Sequence, residues 1–386
     1  MGCHETDAEE QPIGTPAASS KPLVSTLPGR YYHDPAIFER ELDRIFARLW
    51  VCAGRADHVP EAGQYFTGQV GRESVIVLRG SDGVLRAFVN VCRHRGARLC
   101  SEARGQLRGR LRCRYHGWTY GLDGRLIGAP HMTGTEGFGP EALGLVPVAL
   151  AIWEGLVWLN LADQPAPIAD QLTPWVCERF GDTATFARYR VGELRVGRTL
   201  TYDVRANWKL IVENFMECYH CAVIHPELSR AIPSFRAGVA YQIGRPADFA
   251  DGIEAFTLSG RASRLPLPGL PPEDHRRYYG LVLRPNLFVN LLPDHVLVHT
   301  LWPEAPDRTR IVCDWLFDPA VLARADFDPT DAVEFFDLVN RQDWEVCELS
   351  QQGVASKAFR AGGFFTPLEH HIRGFNDFVL AQLDES

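Results

Sequence analysis

The sequence lacks the features that direct a protein to secretion or to nucleic acid. The first thirty residues are polar and rich in proline, serine and alanine, with no apolar h-region, so we expect a flexible tail and no signal peptide. Basic residues do not exceed acidic ones, because 40 Lys and Arg stand against 48 Asp and Glu, for a net charge of −8. This balance argues against nucleic acid as a partner.

Further absences bear on the cofactors that the chain can bind and on its compartment. The chain has no G-x-G-x-x-G fingerprint after a strand, so we do not expect it to bind a dinucleotide itself. Ten cysteines in 386 residues do not resemble a secreted disulfide scaffold, and they favour metal ligation in a reducing compartment, here the cytoplasm. Pro147, Gly155 and Asn160 break the apolar run Leu143–Ala162, which predicts two short strands and no membrane span.

What is present predicts a large core and more than one domain. Hydrophobic residues make up 46% of the chain, and Asp34-Pro35 is a typical start for a first helix within residues 31–50. Short alternating runs between glycine and aspartate turns predict a small all-β domain over 51–165. Residues 166–386 mix antiparallel strands with the long helix Asp331–Gln351, so we predict an α+β fold class, with residues 31–50 joining this second domain.

Two short motifs in the all-β region carry the most specific signal. They are Cys92-Arg93-His94 and Cys113-Arg114-Tyr115-His116, so the ligands arrive in the order Cys, His, Cys, His. A Cys₂His₂ zinc finger pairs its cysteines first, and a zinc loop is therefore the weaker alternative. The order suits a Rieske [2Fe–2S] cluster, which has two cysteines on one iron and two histidines on the other. Cys52 and Cys100 match no pair and are predicted to be packed thiols.

A second candidate metal site lies in the segment Asn207–His225. On an ideal helix Glu217 and His220 share a face, while His225 precedes Pro226 and should lie where the helix ends. Two imidazoles converging there, with a carboxylate from elsewhere, would match the 2-His-1-carboxylate site of non-heme Fe(II). A helix that carries surface histidines is the alternative.

The missing carboxylate is sought on the predicted helix Asp331–Gln351. Asp343 falls on the apolar stripe that this helix forms with Phe336, Val339 and Cys347. A buried carboxylate is costly without a cation, which makes Asp343 the candidate third ligand. Pairing with an arginine or a backbone donor is the alternative. Other histidines, His299 among them, have no metal-like partner in the sequence.

Both motifs resemble those of a known family. CRHRGARLC and CRYHGWTYGLDG are similar, nearly residue for residue, to the Rieske loops of the Rieske non-heme iron oxygenases. N-W-K-x₃-E-N-x₂-E-x-Y-H-x₄-H resembles the mononuclear-iron segment of that family, and the likeness extends from about Arg30 to the C-terminus. The resemblance implies a helix-grip (START-like) catalytic domain and O₂ as co-substrate. It assigns the cluster to Cys92, His94, Cys113 and His116, and the Fe(II) to His220, His225 and Asp343.

The resemblance also implies partners. Many family members carry Asp at the place of Glu217, where it bridges a Rieske histidine of one subunit to an iron histidine of the next. Glu217 is therefore expected to carry electrons between subunits of a homotrimer, and simple orientation of the ligand is the alternative. Asn207 is expected to be a polar neighbour of the iron pocket. A separate flavin and iron–sulfur reductase using NAD(P)H is implied, and the basic stretch Arg93–Arg114 suggests a docking face for an acidic partner.

The substrate class is inferred from motifs that the chain shares with one branch of the family. Glu at position 217 and the opening LPGRYYHDPAIFERELDRIFARLW are most similar to the quaternary-amine branch, which includes glycine betaine, carnitine, choline and stachydrine monooxygenases. This implies oxidative N-demethylation, and a ring-hydroxylating oxygenase acting on an aromatic compound is the alternative. A methylammonium group favours an aromatic box. The available side chains are Phe215, Tyr241, Phe256, Phe288, Trp302 and Phe364.

Overall fold

The computed structural model describes residues 23–240 and 244–384, and it has the predicted α+β composition. In this part of the chain the strands are β1 Val24–Ser25, β2 Val51–Arg55, β3 Gln64–Val70, β4 Glu73–Arg79, β5 Leu85–Val89, β6 Arg104–Gln106, β7 Arg110–Arg112, β8 Thr119–Gly121, β9 Leu126–Gly128, β10 Pro147–Trp153, β11 Leu156–Asn160, β12 Arg195–Val204, β13 Ala247–Asp248, β14 Arg277–Leu283, β15 Leu287–Leu291, β16 Val296–Ala305, β17 Arg308–Phe317 and β18 Phe364–Phe365. The α-helices are α1 Pro35–Glu41, α2 Ile168–Phe180, α3 Ala184–Ala187, α4 Trp208–Phe215, α5 Cys221–Ile224, α6 Pro226–Ala231, α7 Pro233–Arg236, α8 Pro319–Leu322, α9 Thr330–Val354 and α10 His370–Asp384. None of these helices is long and apolar enough to cross a membrane.

The first domain consists of two antiparallel sheets, as the alternating pattern predicts. One has seven strands in the order β2-β11-β10-β5-β4-β3-β6, and the other has three in the order β7-β8-β9. The apolar run forms the hairpin β10–β11, whose turn contains Glu154 and Gly155 with φ of 50° and 70°. The prediction of two strands in place of a membrane span is therefore confirmed.

The second domain is organised around a six-stranded antiparallel sheet in the order β12-β17-β16-β15-β14-β13. Helices α4 and α9 pack against one another beside this sheet. Helix α9 is the predicted long helix, and it extends beyond the predicted bounds at both ends. The amide of its first residue, Thr330, donates to Asp328 Oδ1 at 2.9 Å.

The two domains share one hydrophobic core. Phe66, Val75 and Val77 of the first domain belong to the same buried cluster as Leu301 and Trp302 of the second. Trp302 lies so close to Gly68 that a Cβ added there would come within 2.8 Å of the indole. The domains are therefore packed as one body, and glycine at position 68 is required for that contact.

The N-terminal segment differs from its prediction in part. Residues 1–22 of the predicted tail lie outside the described residues, but β1 pairs with β18 and Leu27 is buried. This ordered part of residues 23–30 corrects the predicted tail boundary of 30. Helix α1 begins as predicted, because Asp34 Oδ1 accepts from the Ala36 amide at 2.8 Å and Pro35 fills the first helical position.

A buried ion pair joins this N-terminal helix to the second domain. The Glu41 carboxylate of α1 accepts from Lys209 Nζ at 2.5 Å and from Trp208 Nε1 at 2.8 Å. The Glu41 and Lys209 side chains have no solvent exposure. Burial lowers the pKa of Lys209, while the neighbouring Glu41 carboxylate opposes that shift. The pair therefore fixes α1 against α4, the helix that leads to the predicted iron segment.

We expect Lys209→Met to lower the free energy of unfolding by about 3–5 kcal/mol, because it leaves the Glu41 carboxylate buried without its cation. Urea unfolding followed by tryptophan fluorescence measures this change. Arg308→Ala is the control, since Arg308 pairs with Asp203 at the surface and its loss should have little effect. Equal effects of the two substitutions would contradict the role of the buried pair.

Candidate metal centres and substrate pocket

The two cysteine–histidine motifs form loops of the same backbone geometry at one end of the first domain. The Gly96 amide donates to the Cys92 carbonyl at 3.0 Å, and the Gly117 amide donates to the Cys113 carbonyl at 3.1 Å. Both glycines have left-handed backbone angles, with φ of 72° and 73°. These turns need glycine, and they bring the two loops face to face.

The two histidines of these loops lie side by side at the surface. The ring centroids of His94 and His116 are 4.7 Å apart, and His94 stacks on Trp118 at 4.9 Å. Partial desolvation and the nearby His94 and Arg95 lower the pKa of His116, which favours the neutral imidazole that a metal ligand requires. Both rings are exposed, so they are accessible to another protein.

The two cysteines lie beneath the histidines and are almost fully buried. Tyr120 Oη accepts from the Arg93 amide at 3.0 Å, so its own proton can be donated to Cys92 Sγ, 3.3 Å away. A phenol directed at a thiolate stabilises the charged, metal-bound form of the sulfur. Two buried sulfurs below two exposed imidazoles therefore provide the donor set that a [2Fe–2S] cluster of the Rieske type requires.

The predicted iron segment is helical in pieces. Helix α4 ends at Phe215, so Glu217 and His220 lie in the turn before α5 and do not share a helix face, which corrects the prediction. His225 lies between α5 and α6 with φ −121° and ψ 73°, the non-helical conformation predicted for a residue before proline. The ring centroids of His220 and His225 are 5.1 Å apart.

Asp343 of helix α9 meets both histidines. Its Oδ1 atom lies 2.9 Å from His225 Nε2 and 3.3 Å from His220 Nε2. The opposite nitrogens of both rings are also held, since His220 Nδ1 is 2.5 Å from Glu217 Oε1 and His225 Nδ1 is 2.7 Å from Gln342 Oε1. Hydrogen bonds of this kind fix the orientation of metal-binding imidazoles. The three inward atoms fit a single divalent ion.

Electrostatics at this point of the pocket call for a cation. Burial opposes the charged carboxylate, but hydrogen bonds from His220 and His225 hold the pKa of Asp343 at about 2. Burial also disfavours a charged imidazole, yet hydrogen bonds to Asp343 and Glu217 raise the pKa of His220 to about 10. A positive charge is therefore stable between the two carboxylates. Within the described part of the chain, the ion pairs of Asp343 are those with His220 and His225.

A cavity of about 70 Å³ opens beside these three side chains. Its wall is aromatic and apolar over most of its extent, and no residue of 51–165 lies among the described residues that line it. The aromatic side chains of the wall are Phe215, Phe235, Phe256, Tyr278 and Phe336.

The aromatic side chains that the sequence offers for a box lie at different places in the structure. Phe215 and Phe256 line the cavity, and Phe288 lies behind Phe215, stacked on it at 4.2 Å between ring centroids. Phe364 lies in β18 and is 60% exposed. Trp302 packs against the first domain, and Tyr241 is outside the described residues.

A buried polar network on the same wall was not predicted. Tyr278 Oη donates to Asn290 Oδ1 at 2.6 Å, Asn290 Nδ2 lies 3.3 Å from His299 Nδ1, and His299 Nε2 lies 3.0 Å from Asn340 Oδ1. Burial lowers the pKa of His299 to about 4, despite the hydrogen bond to Asn340. His299 is therefore neutral, with its proton on Nε2. The sequence held one signal for this network, because His299 is a polar residue on the inward face of the otherwise apolar strand β16.

Asn207 lies outside this wall, contrary to its prediction as a polar neighbour of the pocket. It caps helix α4, because its Oδ1 accepts from the Lys209 amide at 3.0 Å and its Nδ2 donates to the Pro306 carbonyl at 2.6 Å. Asparagine at a helix N-terminus is a common capping choice. We therefore replace the expected pocket role of Asn207 with a structural one.

A disulfide within the predicted iron segment was also missed. Cys218 and Cys221 are bonded to one another and enclose Tyr219 and His220. The sequence pattern offered no separate prediction for these two cysteines. Cys52 and Cys100 are indeed free and buried, and burial raises their pKa values to about 12 and about 11.

Comparison with known proteins gives matches to both domains. Residues 49–143 match the model of the Rieske [2Fe-2S] domain, and residues 191–385 match that of the ring hydroxylating alpha subunit (catalytic domain). The chain is 33% identical to the glycine betaine monooxygenase oxygenase subunit of Chromohalobacter salexigens, over 93% of this chain and 87% of that protein. It is 28% identical to the carnitine monooxygenase oxygenase subunit of Escherichia coli, over 93% of each chain.

Solved structures show the same architecture. The quaternary ammonium Rieske monooxygenase CntA, in complex with L-carnitine, superposes with a TM-score of 0.73 at 26% identity, over 94% of this chain and 96% of that one. Naphthalene 1,2-dioxygenase from Rhodococcus sp. shares the fold, with a TM-score of 0.72 at 20% identity over 93% and 95% of the two chains. The matched domains carry a Rieske [2Fe–2S] cluster and a mononuclear iron that uses O₂. The chain belongs to the Rieske non-heme iron oxygenases.

Proposed function

We propose that this chain is a terminal oxygenase that hydroxylates a methyl group of a quaternary ammonium compound. The N-hydroxymethyl product would collapse to the demethylated amine and formaldehyde. The observation that carries the proposal is the aromatic wall next to the acidic metal site in one small cavity. The glycine betaine and carnitine oxygenase subunits among the relatives point to the same substrate class.

The charges around the cavity suit a cationic substrate. The carboxylates of Glu217 and Asp343 both border it, and Phe256, Tyr278 and Phe336 present their rings to the same space. A methylammonium group is attracted to aromatic faces by the cation–π interaction, most strongly where water is excluded. Neutral His299 adds no positive charge that would repel it. Among the described lining residues there is no lysine or arginine, which is consistent with a site that accepts a cation.

His220, His225 and Asp343 are proposed as the ligands of the mononuclear iron. Iron held there would supply O₂ activation, with electrons delivered through the cluster. The protein's own contribution is orientation, because Glu217 and Gln342 fix the two imidazoles from behind. The apolar wall excludes water from the reacting methyl group.

Cys92, His94, Cys113 and His116 are proposed to hold the [2Fe–2S] cluster. The exposed imidazoles would form the exit for electrons, since the buried sulfurs lie on the inner side. Tyr120 would orient Cys92 by its hydrogen bond to the sulfur.

Electron transfer between subunits is proposed because the cavity has no described lining residue from the cluster domain of its own chain. Tyr219 and Val223, within the iron segment, are 55% and 81% exposed, as expected of apolar side chains that a second copy covers. We propose a ring of three copies in which His94 or His116 of one subunit contacts Glu217 of the next. Glu217 already binds His220, so it would bridge the two centres.

A separate NAD(P)H-dependent reductase with flavin and iron–sulfur groups is proposed as the electron donor. The eight arginines between Arg93 and Arg114 are all exposed around the cluster loops. A positive face in a chain of net charge −8 favours association with an acidic partner. The predicted cytoplasmic location belongs to the same proposal, because such reductases draw on the cellular NAD(P)H pool.

An aromatic substrate is the second candidate, favoured by the number of phenylalanines in the wall. The assay that separates the two supplies a surrogate reductase and measures products from glycine betaine, carnitine and choline beside a set of aromatic acids. We expect formaldehyde in equal amount to a demethylated amine from at least one of the ammonium compounds. Hydroxylated aromatic product without formaldehyde would establish the second candidate instead.

The ligand role of Asp343 predicts that Asp343→Ala lowers the affinity for mononuclear iron by at least about a hundredfold, more than the loss of an outer hydrogen bond would. The cluster absorption should remain, since the cluster loops lie in the other domain. Iron and acid-labile sulfide analysis measures both centres. Glu345→Ala, on the exposed face of the same helix, is the control. Unchanged iron content in Asp343→Ala would remove Asp343 from the ligand set.

The bridging role of Glu217 predicts that Glu217→Gln keeps both metal centres but loses turnover by about 10–100-fold. Reduction of the cluster by dithionite, followed by stopped-flow measurement of its reoxidation with substrate and O₂ present, isolates electron transfer from binding. Glu217→Asp should recover part of the rate, because a carboxylate is retained. Normal cluster reoxidation in Glu217→Gln would leave Glu217 with orientation alone.

A further inference from the structure

We propose that Cys218 and Cys221 form a redox-controlled switch that determines which metal ion the pocket holds. The inference rests on the proposed metal site of His220, His225 and Asp343, and it adds a sulfur donor to that site. When the disulfide is closed, nitrogen and oxygen donors favour Fe(II). When it is open, Cys221 supplies a thiolate that favours Zn²⁺.

The position of Cys221 supports a ligand role. Its Sγ atom lies 3.9 Å from His220 Nε2, the same nitrogen that lies 3.3 Å from Asp343 Oδ1. One ligand atom from each of His220, Cys221 and His225 fits within 4.8 Å of the others. A tetrahedral zinc ion needs nitrogen and sulfur donors about 3.6 Å apart, from bond lengths of about 2.0–2.1 Å and 2.3 Å. Only a small movement of the sulfur is therefore required.

The disulfide decides whether this sulfur can act. A metal ligand must be a thiolate, and a sulfur in a disulfide carries no such charge. Thiolate donors shift the preference of a site towards zinc, whereas two imidazoles with a carboxylate suit non-heme Fe(II). The bond between Cys218 and Cys221 would therefore protect the iron-selective donor set.

Both sulfurs are accessible to small redox reagents through the cavity, since Cys218 and Cys221 line it while being buried from bulk solvent. A dithiol opens the bond by exchange, so the protein gains two electrons and two protons and the dithiol becomes a cyclic disulfide. Hydrogen peroxide closes it, because the two thiols lose two electrons and two protons and two water molecules form. Zinc ligation then releases the thiol proton of Cys221.

The occurrence of the disulfide also favours a redox role. Proteins of reducing compartments rarely keep structural disulfides, and those that do occur are usually transient, catalytic or redox-sensing. This pair encloses His220 with only two residues between the cysteines. Opening the disulfide frees the turn that positions His220. Reduction would therefore change both the available donor atoms and the position of the His220 imidazole.

Zinc K-edge X-ray absorption tests the switch, because it reports only on added zinc and is unaffected by the iron of the cluster. The full-length protein with an intact cluster is freed of mononuclear iron by chelation and then loaded with Zn²⁺. Cys218→Ser leaves Cys221 as a free thiol, and we expect a sulfur neighbour at about 2.3 Å from zinc. The double variant Cys218→Ser/Cys221→Ser and the air-oxidised natural chain should show nitrogen and oxygen only.

Competition with a chelator should give Cys218→Ser a zinc affinity at least about tenfold above that of the double variant. The natural chain reduced with a phosphine, which brings no competing thiol, should show the same sulfur neighbour without any substitution. Zinc bound by nitrogen and oxygen alone in both the reduced natural chain and Cys218→Ser would overturn the switch and leave the proposed metal site standing. Absence of bound zinc in every form would overturn both.

Discussion

The structure depends on a carboxylate that is largely withdrawn from water, with 17% of its side chain exposed. Asp343 lies within helix α9, yet its oxygen contacts imidazoles from a turn more than a hundred residues earlier in the chain. Burying that charge is unfavourable unless a positive charge lies beside it. Helix α9 and the broken helix from Trp208 to Ile224 are arranged so that two imidazoles lie beside this carboxylate, where we propose that a metal ion binds.

The parts of the site that could be predicted are those that depend only on the type and the order of neighbouring residues. Alternation of cysteine and histidine identified the cluster loops, and proline after His225 identified the place where the helix ends. Asp343 was singled out because a charged residue interrupts an apolar stripe, and in the structure it lies beside the two histidines. In each case a rule about residues close together in the sequence was sufficient, and the family resemblance added the expected partners.

The parts that could not be predicted depend on contacts between distant segments. Helix α4 ends at Phe215 because the following turn bonds to the Glu217 carboxylate, a side-chain choice that periodicity does not express. Asn207 has the chemistry of a pocket residue, but its position at a helix start gives it a capping role. The neutral state of His299 follows from its burial against Asn340, and neither is visible without the packing of β16 against α9.

The common core of the two domains has a consequence for how electrons move. Because Phe66 and Val77 pack in the same cluster as Trp302, the cluster loops cannot swing towards the cavity of their own chain. Under the proposed transfer of electrons between subunits, a single copy would contain every component of the circuit but leave it open. In the proposed ring of three copies the circuit would close on assembly. The tunnelling distance would then be fixed by the rigid fit between neighbouring surfaces, with no contribution from domain motion.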